Sequence, residues 1–356
     1  MKLTNKQKKQ IYSCLTLAVT GDTLSFFNNE HRMDIQYSKK NEQNKLDAYN
    51  QLYLYNQYNI QGCAHSMYSI WLYFMPYKMK TKEKSTENIT VPVHFIRNKD
   101  LMQKLYVTKL KYKYLKSFKI VKYNKKILNR YIIRLNKRSK YYENIMTIQN
   151  NKKIVTPSDE FILIGIIYGL KYLDESKFDK RDIDIVTLIT STHVHPYSYM
   201  AVILLSTLIT YLFLTKDIIE TLVKTNNYFK TKLDIQNKTE QKFCDEFDKY
   251  VQSTVITDEI VKVKIRKYSK LNALTTIFIA LNSYLSFDNN WQMLIYLAGM
   301  KYQTTPATCA IACAFYGLVS GVKNVPKIQY KNIENGDNLI KNFYQNGKIK
   351  YLPYFM

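Results

Sequence analysis

An all-α, multi-helix domain is the fold class this sequence predicts, and three observations predict it. Apolar residues recur at three- and four-residue spacing in several long segments. Those segments are apolar on every side, which suits helices inside a bundle better than helices on its surface. The chain of 356 residues is 46% hydrophobic, enough to bury a full core. No Gly/Ser or Pro linker divides it and no internal repeat is visible, so one domain is expected.

In chain order, Pro157, Ser158 and Asp159 form a start signal for a helix from Asp159 to Leu173, carrying Phe161, Ile162, Ile164, Ile166, Ile167 and Leu170. Pro196 opens a second buried segment that runs to about Thr215. Its longest apolar run, Met200 to Leu214, holds fifteen residues including Ser, Thr and Tyr, short of the roughly 20 that span a bilayer. Lys270 to Phe287 places Leu271, Leu274, Ile277, Phe278, Leu281 and Leu285 on one face. Ala307 to Val322 is rich in small residues, which lets helices approach closely. The domain is expected over 11–326, between a basic segment 1–10 and a C-terminal extension 327–356.

Five cysteines (Cys14, Cys63, Cys244, Cys309, Cys313) make an odd count without a CxxC pair, so neither a disulfide framework nor a zinc framework is implied. Cys309 and Cys313, four apart in an apolar stretch, read as helix core. The opening MKLTNKQKKQ lacks the apolar region and cleavage site of a secretory signal, and a soluble, cytoplasmic protein is expected.

Charge is the strongest compositional signal. Lys+Arg number 53 against 28 Asp+Glu, a net +25, and only seven of the bases are arginine. Between Arg97 and Lys140 stand sixteen Lys/Arg and one acid, Asp100, a difference of +15 in 44 residues. Lys109, Lys111, Lys113, Lys116, Lys119, Lys122, Lys125, Lys126, Arg130 and Arg134 are its candidate binding residues, with Lys323, Lys327 and Lys331 as further members. Lysine, asparagine, isoleucine and tyrosine are also what an AT-rich coding sequence yields, so coding drift competes with selection as the source. Either way, such a surface attracts nucleic acid, anionic membrane or an acidic protein.

Four stretches, in order, resemble the ADP-ribosylglycohydrolases, and within them the ADP-ribosylarginine hydrolases. Gly21-Asp22-Thr23-Leu24-Ser25-Phe26-Phe27-Asn28 is similar to the GDALGYYN opening. Gly169 to Tyr172, Asp184 to Ile189 and Thr192-His193-Val194-His195-Pro196 resemble the GLRY…LDTLIEVS…THxHP block. Asn272 to Trp291 resembles the apolar helix before the late metal motif, and Ala310 to Pro326 resembles AIAGCWWGxxYGFKGVP. The resemblance implies an all-α, orthogonally packed helical domain.

It also implies a two-magnesium hydrolase whose carboxylates come from an early (T/S)DDT and a late GGDxDST motif, since hard divalent cations take oxygen ligands. Those carboxylates are missing. Counted back from Ala310, the late aspartates fall on Thr304 and Pro306 and the final Thr on Thr308, with no acid from Asp288 to Glu334 between them. The early pair falls on Cys63 and Ala64, and the chain contains no DD dipeptide. The GxGAAMR loop that meets the ADP-ribose phosphates reads Ser158 to Ile164; its glycines become Ser158 and Glu160, its first Ala Phe161 and its Arg Ile164, and an acid beside a pyrophosphate would repel it. Gly21, Asp22, Thr192, His193, His195, Pro196 and Thr308 are retained. His193 and His195 admit two readings, a His-x-His metal or acid–base pair and a brace across helix ends; two imidazoles without a third ligand favour the brace.

A catalytically inactive, cofactor-free protein reused for binding is therefore expected. The composition suits a large AT-rich DNA virus, poxvirus-like, which would place it in the host cytoplasm. Diffuse lysine attraction fits an acidic protein polymer such as microtubules first. Nucleic acid comes second, through Tyr106, Tyr112, Tyr114, Tyr123 and Tyr131 interleaved with the bases. Anionic membrane comes third, because no amphipathic helix with Trp, Phe and Leu opposite the bases is clear.

Overall fold

The computed structural model describes residues 3–38, 156–190, 193–256, 272–301, 305–331 and 343–344. Helix accounts for 79% of the described residues and no strand occurs among them, so the described fold is all-α. In chain order the helices are α1 (Asn5–Ser38), α2 (Ile164–Lys171), α3 (Phe178–Thr190), α4 (Pro196–Thr215), α5 (Ile218–Thr231), α6 (Lys238–Ile256), α7 (Ala273–Leu285), α8 (Trp291–Tyr296), α9 (Pro306–Val319) and α10 (Lys327–Lys331). A single π-helical turn, Leu297–Lys301, follows α8.

Helix α4 is the hub, touching α2, α3, α5, α6, α7 and α9. Pro196 opens it at N1, where a missing N–H costs nothing, and Lys216 ends it in the left-handed conformation at φ 66°. Asp217 then caps α5 by accepting from the amides of Ile219 and Glu220. Among the described residues α4 is the one helix long and apolar enough to cross a membrane, and 89% of its apolar window is buried inside the body. It is five residues longer than the apolar run in the sequence, since Pro196 to Tyr199 precede the run and Thr215 follows it. Ser206 and Thr207 donate to the Ile203 carbonyl, and Thr210 donates to those of Ser206 and Gly169.

The most extensive pairing joins α1 to α9. It is antiparallel: Gly21 lies against Cys309 and Cys313, while Gly317 lies against Ser13 and Cys14. A Cβ on Gly317 would stand 2.5 Å from the Ser13 carbonyl oxygen, so only glycine lets the backbones approach this closely. Cys309 and Cys313 are fully buried here as helix core. An aromatic stack binds α5, α6 and α7, with the Tyr250 and Phe278 rings 4.3 Å apart and nearly parallel.

Two expected boundaries move. The helix expected from Asp159 begins at Ile164, because residues 160–163 form a tighter turn closed by three-residue hydrogen bonds such as Ile162 N to Asp159 O. The helix expected over Ala307–Val322 spans Pro306–Val319 and gives way to a turn in which Gly321 has φ +69°. At the other end of the chain, Phe343 is buried in the same core.

Candidate functional site

The amino-terminal ends of three helices meet at the turn Ser158–Phe161. The Ser158 amide donates to Ser198 Oγ (3.1 Å) in the first turn of α4. Asp159 Oδ2 accepts from Thr276 Oγ1 (2.9 Å) in the first turn of α7 and from Thr305 Oγ1 (2.8 Å), the N-cap residue of α9. Helix amino termini carry partial positive charge and favour an anion, and here the protein's own Asp159 carboxylate supplies it.

Beside it, Glu160 Oε2 lies 3.3 Å from His193 Nε2, and the Phe161 ring meets that imidazole edge-on at 4.8 Å. His195 has a different partner. Its Nδ1 accepts from the Tyr197 amide (3.2 Å), capping α4, and burial depresses its pKa. The two imidazoles thus brace different elements, one holding the acidic turn and the other a helix end.

Of the positions that the resemblance assigns to metal ligands, Pro306 is the first residue of α9, while Thr304, Cys63 and Ala64 lie outside the described residues. Thr308 is fully buried and its hydroxyl has no hydrogen-bond partner among the described residues. Among those residues no three of His, Cys, Asp and Glu converge as a metal site. Gly21 serves the α1–α9 seam, Asp22 is wholly buried one position on, and Thr192 lies outside the described residues. The basic candidates Lys109, Lys111, Lys113, Lys116, Lys119, Lys122, Lys125, Lys126, Arg130 and Arg134 lie outside them too, whereas Lys323, Lys327 and Lys331 are exposed.

A second polar cluster was not anticipated. Arg181 of α3 is completely buried, with Nε donating to Asp182 Oδ1 (2.7 Å) and Nη2 to Thr207 Oγ1 (2.9 Å) of α4. Its guanidinium lies over the Phe178 ring at 3.8 Å, and Tyr228 of α5 donates to the other oxygen of Asp182. Burial raises the Asp182 pKa against the opposing pull of Arg181. The sequence did carry a signal: Arg181 and Asp182 fall at helical spacing with Phe178, Ile185, Leu188 and Ile189, on the buried face of α3.

The described residues hold 19 Lys+Arg and 18 Asp+Glu, and the whole chain outside 39–155 holds 28 and 22. The other 162 residues hold 34 and 10, and 39–155 alone has 25 and 6. No protein-family model matches the chain, and no curated protein matches it.

Proposed function

We propose that this chain is a catalytically inactive protein of the ADP-ribosylglycohydrolase type, with that family's orthogonal helix packing, reused to bind an acidic cytoplasmic protein through its lysine-rich segment. The observation that carries the reading is the segregation of charge. Coding drift toward lysine acts on the whole gene, yet the chain outside 39–155 carries 28 Lys+Arg against 22 Asp+Glu while 39–155 carries 25 against 6. A difference of that size within one chain argues for selection on the basic segment.

Loss of catalysis has its own support. A metal-dependent hydrolase needs carboxylates at the start of α9; proline and threonine stand there, and proline offers no side-chain ligand. The helix ends that would welcome an anionic ligand instead hold Asp159, fixed by two hydroxyls. A pyrophosphate would have to displace a carboxylate that is already hydrogen-bonded.

Microtubules, with their acidic surface, are the first partner to test. Reversing Lys109, Lys113, Lys116 and Lys119 to Glu and measuring co-sedimentation should abolish binding while the helical fold persists. Retention on RNA or DNA, lost in the same variant without any microtubule binding, would favour the nucleic-acid alternative that the interleaved tyrosines allow. Magnesium-dependent release of ADP-ribose from an arginine-modified substrate would overturn the inactive reading and restore the hydrolase alternative.

A further inference from the structure

Lys171 ends α2, and its ammonium makes two contacts with a single residue near the other end of the chain. Nζ donates to the Phe343 carbonyl (2.6 Å) and stands 4.1 Å from the centre of the Phe343 ring. Phe343 is only 3% exposed and belongs to the core. The Tyr344 ring packs edge-on against it at 5.3 Å, and the Tyr344 hydroxyl reaches the Lys8 carbonyl of α1 (3.4 Å).

We propose that Lys171 is the latch of a charge-gated clasp, its ammonium holding Phe343 and Tyr344 against α1 and α2. Both contacts depend on the positive charge. An ionised donor makes the stronger hydrogen bond to a carbonyl, and the aromatic face attracts a cation through its quadrupole. The position favours the cation as well, since Lys171 lies in the last turn of α2, where the helix dipole is negative. Neutralising this one half-buried amine weakens both contacts together; an arginine at the same place retains both.

Chymotrypsin reads the clasp directly, because the protease must draw an aromatic side chain into its own pocket and a docked Phe343 resists. In the full chain, Lys171→Gln should be cut after Phe343 about tenfold faster than the unaltered protein. Lys171→Arg should stay within about twofold, and cleavage after the buried Phe229 and Phe247 should be unchanged in both. Phe343→Leu, which keeps an apolar anchor but loses the ring, should speed cleavage after Tyr344 about threefold. Equal rates after Phe343 in Lys171→Gln and the unaltered protein would overturn the proposal. So would Arg behaving as Gln does, or faster cleavage at every site, which would make Lys171 a general support of the fold.

Discussion

The helical body and residues 39–155 share one coding sequence and one cytoplasmic expectation, but they treat charge in opposite ways. In the body, charges are spent on structure: Arg181 and Asp182 tie α3 to α4 and α5, Asp159 joins α7 to α9, and Asp217 caps α5. In 39–155 the bases outnumber the acids fourfold. Pairing within the segment cannot neutralise that excess, which leaves it attractive to anions. The proposed function predicts a division of labour. Changing a body charge should alter stability and leave the partner's affinity for folded protein alone, and changing a charge in the segment should do the reverse.

The largest effect is expected at the buried arginine. Arg181→Met leaves Asp182 buried without its cation and should cost about 3–5 kcal/mol in chemical denaturation. The double variant Arg181→Met/Asp182→Asn should recover a good part of that loss. If Arg181→Met instead weakened partner binding beyond its unfolded fraction, the division of labour would fail.

Next is the acidic turn. Thr305→Val removes one of two hydroxyl donors from the Asp159 carboxylate and should cost about 1.5–3 kcal/mol. Stability unchanged by Thr305→Val would mean that the carboxylate is held by other groups.

A smaller, pH-dependent effect belongs to Asp182. Its folded pKa is raised above the ordinary value of 3.8 by burial, so the native state binds more protons than the unfolded one. Stability from this group therefore rises as pH falls through the raised native value toward 3.8, and is lost as pH rises back through it. Asp182→Asn should remove that slope, as measured by denaturation midpoints at a series of pH values. An identical slope in both proteins would assign it to another group.

Much of the fold was legible where local and tertiary signals agree. Pro196 and Thr215 bound α4 in the sequence as in the structure, because the proline fits N1 and the Lys216–Asp217 corner stops one helix and starts the next. The start of α2 was misplaced by five residues. Ser158 and Asp159 look like a cap for their own helix, but the Ser158 amide and the Asp159 carboxylate reach α4, α7 and α9, a choice made by tertiary partners 40 to 146 residues away. The apolar run within α4 undercounted the buried helix, since it omits the first turn, where Ser198 and Tyr199 are buried with Ser158 and Glu240 as hydrogen-bond partners.

At the candidate site, the absence of carboxylates at the start of α9 was readable directly. What the sequence concealed was the place of Asp159, whose carboxylate sits between the amino-terminal ends of α7 and α9. Nor could spacing reveal that His193 and His195, two residues apart, brace different elements.

The account rests most directly on the affinity of one variant. Lys109, Lys113, Lys116 and Lys119 reversed to Glu should leave the helical circular dichroism spectrum and the thermal midpoint near those of the unaltered protein. Its co-sedimentation with microtubules should fall to background, and the unaltered protein's binding should weaken steeply with salt, as expected for exposed charges screened over about 8 Å. A folded fourfold variant that still co-sediments as the unaltered protein does, or binding indifferent to salt, would contradict the claim that the segregated charge is the working surface.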